Sequence, residues 1–502
     1  MKRRIEELGR RVLVWTGIAC AMQSVGLGDD LGDRWGTERA EAAYYQIVDV
    51  PIPEGLALEA GSFVWLPDGR LAIGTRRGEI LLVDGIDERI PQPEYHRFAA
   101  GMDEILGLDY RDGAFYVTQQ TELTRVTDAN GDGRADRFVT LSDDWGFNAY
   151  HEFAIGSKLD RNGATWIALC LSKSYQSDRL FRGWALKVDL DGTVTPIASG
   201  IRSPLGVGLN ESGVMFYAES QGPWNGSCSL KHLKPGGFMG HPASFVWYPE
   251  APNMGAAPTV PDTPSRLEIE RERVLELVPY SVVFPYIKMG RSISGFEIDR
   301  TGGDFGPFAD QIFIGDFTMS VVMRATTEEI NGVWQGACYP LREGMGTGIL
   351  NVTCTPEGRL LTGGTNRGWP VRGSRRIALE RLDWTGKTPF EIRDMRVTPS
   401  GFVLRFTKPV DKRVALSVEN YDLETYTHIY RQGYGSPEVD QTYPTVTAVR
   451  VADDGLSLAM DLSAMTQGHV HELSIAGLRS ADGEAPLHSK AYYTLNEIPK
   501  AD

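Results

Sequence analysis

Short apolar and alternating runs recur along the chain, and glycine-containing turns separate them. Residues 63–66 and 71–75 are two such runs on either side of Asp68-Gly69. This pattern of run, turn and run predicts a β-hairpin. A third run at 79–84 extends the hairpin into a small sheet. The same unit returns around further turns, at Gly113, Gly163, Gly213 and Gly358, with a fifth unit near Asp310 and residues 309–316 as its strand.

The spacing of these turns predicts a repeat architecture. The steps between them are 44, 50 and 50 residues, then about double, then 48. Repeats of ~40–50 residues with several short strands each are typical of propeller blades, which bury their faces by stacking in a ring. The pattern predicts a six-bladed β-propeller over residues 46–388. The double step holds a proline-rich insertion at 249–264 and a charged, helix-like run at 266–277. The alternative is a seventh blade hidden in this double step, between Gly213 and Asp310.

A second pattern begins after residue 388. Period-two alternation at 402–406, 421–430, 446–451, 456–462, 471–475 and 491–495, with turns at Asp454-Gly455 and Asp482-Gly483, predicts six or seven short strands. Such a set in ~100 residues is typical of an immunoglobulin-like β-sandwich, here over 389–499. The whole chain is therefore expected to be all-β. We expect His469 and His471 to be solvated strand residues.

Composition excludes some partners. The chain has 502 residues and a formal net charge of -15. Nucleic acid and anionic membrane surfaces both require a basic face, so neither is expected as a partner. A small neutral or cationic ligand, or simply a soluble exported protein, fits this charge better. The expected partner is a small-molecule or oligosaccharide substrate.

The first residues have the pattern of a targeting segment. Lys2, Arg3 and Arg4 precede an apolar run at 12–27 that Gln23 and Ser24 interrupt. A charged and then apolar start predicts a secretory signal over 1–28, a linker over 29–45, and export to the periplasm or the extracellular space. The run is too short for a good membrane span, and no other run is long enough. A plain N-terminal helix is the alternative, and residues 18–20, which end in Cys20, weakly suggest a lipoprotein cleavage site.

The five cysteines fit no metal or haem motif, because none stands in C-x-x-C spacing. In an exported protein, Cys338 with Cys354 and Cys170 with Cys228 are possible disulfides. Buried free thiols are the equal alternative.

Residues 128–136 have the spacing of a calcium loop. Oxygen donors stand at Asp128, Asn130, Asp132 and Asp136, and Gly133 permits the sharp turn. Alternate oxygen ligands followed by a glycine are how a short loop surrounds Ca²⁺. The pattern predicts a structural calcium ion, and an acidic solvated turn is the alternative.

Four motifs carry a family resemblance. Residues 150–153 (YHEF), 200–206 (GIRSPLG), 219–223 (ESQGP) and 235–242 (PGGFMGHP) follow one another in predicted loops near blade starts. Their order resembles that of soluble sugar dehydrogenases that use pyrroloquinoline quinone. Residues 331–338, 365–369 and 384–390 resemble the exported "membrane-bound dehydrogenase" proteins of planctomycetes more closely. Residues 406–410 (FTKPV), 468–473 (GHVHEL) and 481–483 (ADG) resemble bacterial immunoglobulin-like modules.

The resemblance implies a reaction and its residues. His151 would be the general base toward a sugar hydroxyl, and Arg202 would stabilise negative charge on the quinone oxygen. The carbonyls of Gly222 and Pro223, in one loop with Gln221, would hold Ca²⁺ beside the quinone. The stretches expected to meet the quinone carboxylates, 315–320 and 344–351, contain no Lys or Arg, so Arg367 is the substitute. The electron acceptor is not indicated.

Two other classes of function stay open. His151, His232 and His241 could converge at the channel mouth and bind Zn²⁺ or Mn²⁺, with Glu152 or Glu219 as acid and base. That set would define a metal-dependent sugar lyase, dehydratase or hydrolase. The third class is a non-catalytic scaffold that binds a glycan or a protein.

Overall fold

The computed structural model describes residues 35–148 and 151–500. The predicted signal segment at 1–28, with Cys20, lies outside the described residues. Among the described residues no helix is long and apolar enough to cross a membrane. The chain is built mostly of short strands with a few short helices, so the all-β prediction is confirmed for this part.

The N-terminal part holds the repeated sheets. Its elements, in chain order, are α1 (Glu38–Glu41), β1 (Tyr45–Asp49), β2 (Ala60–Trp65), β3 (Leu71–Thr75), β4 (Ile80–Asp84), β5 (Glu94–Ala99), β6 (Gly107–Arg111), β7 (Ala114–Thr118), β8 (Leu123–Thr127), β9 (Arg137–Ser142), β10 (Ala154–Leu159), β11 (Thr165–Leu169), β12 (Trp184–Val188) and β13 (Val194–Ser199). They continue with β14 (Pro204–Leu209), β15 (Met215–Glu219), β16 (Cys228–His232), β17 (Gly237–Phe238), two 3₁₀ helices (Pro242–Glu250 and Pro252–Met254), β18 (Ser265–Arg266), α2 (Leu267–Arg273), β19 (Val282–Phe284), β20 (Ile293–Ile298), β21 (Ile312–Asp316), β22 (Val321–Ile330), β23 (Val333–Arg342), β24 (Ile349–Cys354), β25 (Leu360–Thr365) and β26 (Ile377–Trp384).

These strands pair as successive antiparallel units of four. Strands β2–β5, β6–β9, β10–β13, β14–β16 with β19, and β20–β23 form the units in order, and β24–β26 are completed by β1. The first strands contact one another in the closed order β2, β6, β10, β14, β20, β24 and back to β2. The N-terminal strand β1 lies beside β26, with Tyr45 opposite Trp384. The fold is therefore propeller-like. The ring is closed by the last unit, in which the N-terminal strand β1 pairs with β26.

The turn glycines explain the repeat. Gly69, Gly113, Gly163, Gly213 and Gly358 all have positive φ and lie between the first and second strands of their units. Positive φ is a backbone conformation that glycine adopts without steric cost. The fifth unit departs from this pattern, because the long connection 299–311 replaces the tight turn, and the unit begins at Ile293 rather than near residue 309. In the described residues of the double step, no additional four-stranded sheet is present.

The predicted linker 29–45 is only partly correct. Its described part contains α1 and the start of β1, and the side chain of Glu41 in α1 is completely buried. Arg342 donates to Glu41 at 3.2 Å, so an ion pair fixes this segment to the propeller-like part. A buried carboxylate needs such a partner.

The C-terminal part is a pair of facing sheets. Its elements are β27 (Ile392–Thr398), β28 (Gly401–Phe406), α3 (Lys412–Ala415), a 3₁₀ helix (Val418–Asn420), β29 (Asp422–Tyr430), β30 (Glu438–Thr442), β31 (Val446–Val451), β32 (Ser457–Leu462), β33 (His469–Ser474) and β34 (Lys490–Leu495). Strands β27, β28, β32 and β31 form one sheet, and β30, β29, β33 and β34 form the other. Phe402, Met460 and Leu473 lie in the buried core between them.

The second of these sheets continues into the propeller-like part. Strand β34 pairs antiparallel with β23, with Tyr492 opposite Cys338, and β18 pairs with β29. Backbone hydrogen bonds therefore cross the predicted boundary at 388. The prediction of solvated histidines on β33 is wrong: His471 is fully buried, and burial lowers its pKa to about 3. Its ring lies 5.5 Å from that of Phe402 on the facing sheet, so the core between the two sheets covers it.

The described cysteines are free thiols. Cys170, Cys228 and Cys338 are buried and Cys354 is partly buried, and none forms a disulfide. The predicted pairs are therefore wrong, and the alternative of buried thiols holds for these residues.

Candidate functional site

A cavity of about 500 Å³ lies where the first strands of the sheets converge. Every one of these six strands, or the residue before it, contributes to its wall; the contributing residues are Gly61, Leu106, Gly156, Gly206, Gly295 and Asn351. A cavity that all the units share lies on the axis of the ring, where propellers build their sites from several blades.

Glycines permit this convergence. A Cβ atom on Gly61 would lie 2.2 Å from the carbonyl oxygen of Ile105, and one on Gly206 would lie 2.6 Å from that of Ser294. Both contacts are with the backbone of the next unit, which a side chain could not displace. The strand register also shifts beside both glycines, which opens space at the strand starts.

Aromatic side chains form much of the cavity wall. They come from the loops around the ring, from strand β20 and from the C-terminal part; the set is Phe153, Tyr175, Phe296, Phe317, Trp369 and Tyr434. Such a wall favours a flat, unsaturated ligand, because aromatic faces stack on one another.

His151 lies in this wall. It has a φ of 72°, its ring is half-buried, and it meets Phe153 edge-on with 5.7 Å between ring centroids. Burial, followed by the positive charges of Arg202 and Arg76, lowers the pKa of His151 from its ordinary value of 6.5. The imidazole is therefore neutral at pH 7 and can accept a proton.

Arg202 supplies positive charge to the same cavity. It is only 6% exposed, and its Nη1 donates to the carbonyl oxygen of Gln221 at 2.7 Å. Its guanidinium carbon lies 5.2 Å from the centroid of the Tyr434 ring, a cation–π contact. Its Nε has no hydrogen-bond partner among the described residues. The positive charge of Arg202 in the cavity wall favours an anionic ligand.

A buried network fixes the backbone of Arg202. The Arg202 N–H donates to Glu219 at 2.6 Å, and Glu219 also accepts from Tyr217 at 2.7 Å and from Lys231 at 2.9 Å. Burial lowers the pKa of Lys231, and its pairing with Glu219 opposes that effect. The Ser203 N–H donates to the same carboxylate at 3.2 Å. These four donors hold the turn that carries Arg202 in a single geometry.

Arg367 also lines the cavity, but two glutamates compensate its charge. It pairs with Glu59 at 2.7 Å and with Glu104 at 2.9 Å. Arg76, another lining residue, shares Glu104 at 3.2 Å. These pairs join the first and last units of the ring. Arg367 therefore lines the cavity while it pairs with these two glutamates, and its role toward a cofactor stays a prediction.

Lys173 is a site residue that sequence reasoning missed. It lies on the loop after β11 with a φ of 51°, lines the cavity and is exposed. Among the described residues it has neither an ion pair nor a hydrogen bond from its side chain. Lys173 and Arg202 are therefore two cations that no carboxylate of the described chain neutralises. The only signal in the sequence was a lysine directly after a buried strand.

Two groups of predicted site residues do not line the cavity. Glu152 is fully buried and accepts from Ser172 at 2.5 Å and from the Asn148 N–H, so its carboxylate belongs to the loop scaffold and not to the cavity. The lining among the described residues includes Ser220 but not the loop 221–223. The carbonyl of Gly222 accepts from the Gly435 N–H at 3.1 Å, so the C-terminal part covers this loop.

The three histidines of the alternative metal site do not meet. Only His151 lines the axial cavity, whereas His232 lines a separate pocket beside Trp334. His241 caps the first 3₁₀ helix, with Nδ1 accepting from the Ala243 N–H at 3.3 Å. Burial lowers the pKa of His232 to about 4 and that of His241 to about 3. No group of three or more His, Cys, Asp or Glu side chains in the described ranges is placed to hold a metal ion.

The predicted calcium loop lies on the exposed β8–β9 connection. Asp128 accepts from the N–H groups of Gly131 and Gly133, and Asp132 accepts from that of Arg134. Asp136 accepts from the Ala129 N–H at 2.8 Å. The hydrogen bonds from the N–H groups of Gly133 and Gly131 lower the pKa of Asp128. Calcium binding there stays a prediction.

Known proteins similar to this chain were found among solved structures only. No protein-family model and no curated protein sequence matches the chain. A putative glucose dehydrogenase from Thermus thermophilus is 17% identical with a TM-score of 0.47, over 67% of this chain and 99% of that one. The PQQ-bound aldose sugar dehydrogenase from Streptomyces coelicolor is 15% identical with a TM-score of 0.43, over 68% and 99%. A calcium-bound AA12-family protein from Trichoderma reesei is 12% identical with a TM-score of 0.48, over 68% and 96%. The chemistry of this chain therefore rests on its own residues.

Proposed function

We propose that this protein is an exported sugar or alcohol dehydrogenase that uses pyrroloquinoline quinone in its axial cavity. The ring of first strands supports a six-bladed β-propeller, and the two facing C-terminal sheets support an immunoglobulin-like sandwich. The observation that carries the proposal is that His151 and Arg202 line one aromatic-walled cavity. Export rests on the charged and then apolar pattern of residues 1–28.

The residues present fit the quinone. The cofactor is a flat aromatic tricarboxylate, and the cavity offers aromatic walls together with the uncompensated charges of Lys173 and Arg202. Arg202 Nε is a buried donor without a partner in the described chain. Lys173 at the exposed end would hold a carboxylate, since charge-assisted hydrogen bonds are about twice as strong as neutral ones. When bound, the quinone accepts two electrons from the substrate.

His151 supplies the proton chemistry. Its neutral imidazole nitrogen takes the hydroxyl proton of the substrate as the substrate carbon is oxidised. Its half-buried position next to Phe153 limits water around the ring. The same burial that lowers its pKa keeps it ready to accept a proton at neutral pH.

Arg202 supplies the electrostatic part. Its guanidinium is fixed by the carbonyl of Gln221 and by the Tyr434 ring, so it does not have to reorganise as negative charge develops beside it. In a site shielded from water, a preorganised donor contributes strongly to stabilising the transition state.

The size of the cavity indicates the substrate class. A space of about 500 Å³ is in the range of ligand pockets, and it accommodates the cofactor and a small sugar or the end of an oligosaccharide. No observation favours the scaffold class over this proposal, so that class becomes an outcome of the test.

The test is quinone binding followed by turnover. Quinone added to the purified chain should quench tryptophan fluorescence at unit stoichiometry, and a panel of sugars and alcohols with an artificial electron acceptor should reveal turnover. His151→Gln should keep binding and lose about 10²–10⁴-fold in kcat. His96→Gln, on the exposed strand β5, is the matched control. Glycan binding without quinone uptake would replace the proposal with a scaffold.

A further inference from the structure

We infer that the cavity holds its anionic ligand without a divalent cation, because the Arg202 guanidinium bonds the carbonyls of Ser220 and Gln221 and the C-terminal sandwich covers that of Gly222. This inference rests on the proposed function for its ligand. It departs from the calcium that the sequence resemblance places on Gly222 and Pro223.

The carbonyl groups of this loop already have donors. Gln221 O accepts from Arg202 Nη1 at 2.7 Å. Ser220 O accepts from the same nitrogen at 3.4 Å and from Asn225 Nδ2 at 2.9 Å. Gly222 O accepts from the Gly435 N–H at 3.1 Å. Calcium requires six to eight oxygen ligands at about 2.3–2.6 Å, and three successive carbonyls here serve N–H donors instead.

The guanidinium also fills the space against the loop. A Cβ atom on Gly222 would lie 2.0 Å from Arg202 Cζ, so the guanidinium lies directly on the Gly222 backbone. Only glycine permits that approach. A dication at the same carbonyls would stand beside a fixed positive charge, and the two would repel each other.

The C-terminal sandwich holds this arrangement closed. Between β29 and β30 the chain runs over the 222–226 loop and makes three backbone bonds with it. Trp224 N–H donates to Arg431 O at 2.8 Å, Ser436 N–H donates to Gly226 O at 3.1 Å, and the third is the bond from Gly435. Tyr434, at the centre of this connection, lines the cavity and places its ring 5.2 Å from the Arg202 guanidinium carbon. The site is therefore shared between the two parts of the chain, and Tyr434 is a positioning residue for Arg202.

The direct consequence concerns the ligand atom. Arg202 Nη1 already donates to carbonyl oxygens, and the Arg202 Nε–H has no acceptor in the described chain. The Arg202 side chain lines the cavity, so the ligand should place an anionic oxygen against its guanidinium. Arginine thereby provides the positive charge that a calcium ion would otherwise bring to the ligand.

The main experiment is quinone binding with and without calcium. Quinone is titrated into the full chain in EDTA and in millimolar Ca²⁺, with tryptophan fluorescence as the readout. Asp132→Ala is run in parallel, because it removes the separate calcium loop predicted at 128–136. We expect the two dissociation constants to agree within about threefold, whereas a tightening of about tenfold or more by Ca²⁺ in Asp132→Ala would overturn the inference and leave the proposed function standing.

Variants separate the two positioning effects. Arg202→Met keeps much of the side-chain length and removes the charge, so it should weaken quinone binding by about tenfold or more in both buffers. Tyr434→Ala should weaken binding by about threefold to tenfold, and Tyr434→Phe should keep most of the affinity, because a phenyl ring retains the cation–π contact. Tyr443→Ala, an exposed tyrosine of the same sandwich, is the matched control. Equal affinity in Arg202→Met and the wild type would contradict the inference.

A second readout does not depend on the quinone. Tb³⁺, a luminescent substitute for Ca²⁺, is titrated into Asp132→Ala and into the double variant that also carries Tyr434→Phe. We expect the same luminescence from both, since no lanthanide should bind next to Tyr434. A signal that Tyr434→Phe removes would overturn the inference. If no quinone binds in either buffer the proposed function fails, and this titration alone decides about the cation.

Discussion

At the scale of single residues, the environment of His151 decides what the cavity can do. The ring is half-buried and near Arg202 and Arg76, and these causes lower its pKa below 6.5. Glu152, its neighbour in sequence, is buried in the loop scaffold and accepts from Ser172. The base therefore works beside two arginines, which favour its neutral form and leave it ready to accept a proton.

The pH dependence of kcat/KM should report this pKa. Because the neutral form of His151 is the active one, activity should be constant above the pKa and fall as pH decreases through it. The midpoint of the acid limb is expected below 6.5. A pH profile of initial rates measures it. A midpoint above 7 would show that His151 is not the base, or that its environment differs from the one described.

At the scale of elements, connections between strands do the specialised work. The β29–β30 connection covers the 222–226 loop and brings Tyr434 to the cavity, while the β8–β9 connection carries the predicted calcium loop on the outside. The two connections have opposite surroundings, because the first is packed against a loop and the second is exposed. We expect the first to affect ligand binding and the second to affect stability alone.

Asp132→Ala tests the outer connection. If the loop binds Ca²⁺, the ion stabilises the folded chain by mass action, and loss of a ligand should cost roughly 1–3 kcal/mol in calcium. Thermal unfolding of the wild type and the variant, in Ca²⁺ and in EDTA, measures the difference. The two chains should unfold alike in EDTA. An equal unfolding midpoint of the two chains in Ca²⁺ would contradict calcium binding by this loop.

Sequence patterns predicted the hairpins well and the site only in part. A glycine with positive φ at each tight turn is a local requirement, so Gly69 and Gly358 revealed their units. The fifth unit was misplaced because its long connection lacks that turn. Lys173 and Tyr434 have no local signature, since tertiary packing brings them to the axis. His232 and His151 looked like a pair of ligands because loop sequence does not tell which pocket a residue faces.

At the scale of the whole molecule, one buried histidine ties three segments together. His488 Nδ1 lies 2.7 Å from Glu391 at the start of the C-terminal part, and Nε2 lies 2.8 Å from Glu41 in α1. Arg324 of the fifth unit pairs with Glu391 at 3.1 Å, and Arg342 pairs with Glu41. Burial alone would lower the pKa of His488, but the two carboxylates outweigh it and raise the pKa to about 9.

Stability should therefore decrease at alkaline pH. The folded-state pKa of His488 is raised above its unfolded value of 6.5, so its contribution is complete below pH 6.5 and is lost as pH rises through about 9. A shift of this size corresponds to about 3 kcal/mol. Chemical denaturation across this range measures it, and His488→Gln should be less stable at low pH and lose most of the slope. A wild-type slope that His488→Gln leaves unchanged would assign the effect to another group.

The dehydrogenase assignment is tested by the absorbance spectrum of the quinone-loaded protein before and after a sugar is added without an electron acceptor. We expect the wild type to bind one quinone per chain and a sugar or alcohol to bleach its oxidised band. His151→Gln should bind the quinone and keep the band. A wild-type chain that takes up no quinone, or one whose band no substrate of the panel alters, would contradict the assignment of the axial cavity as a dehydrogenase site.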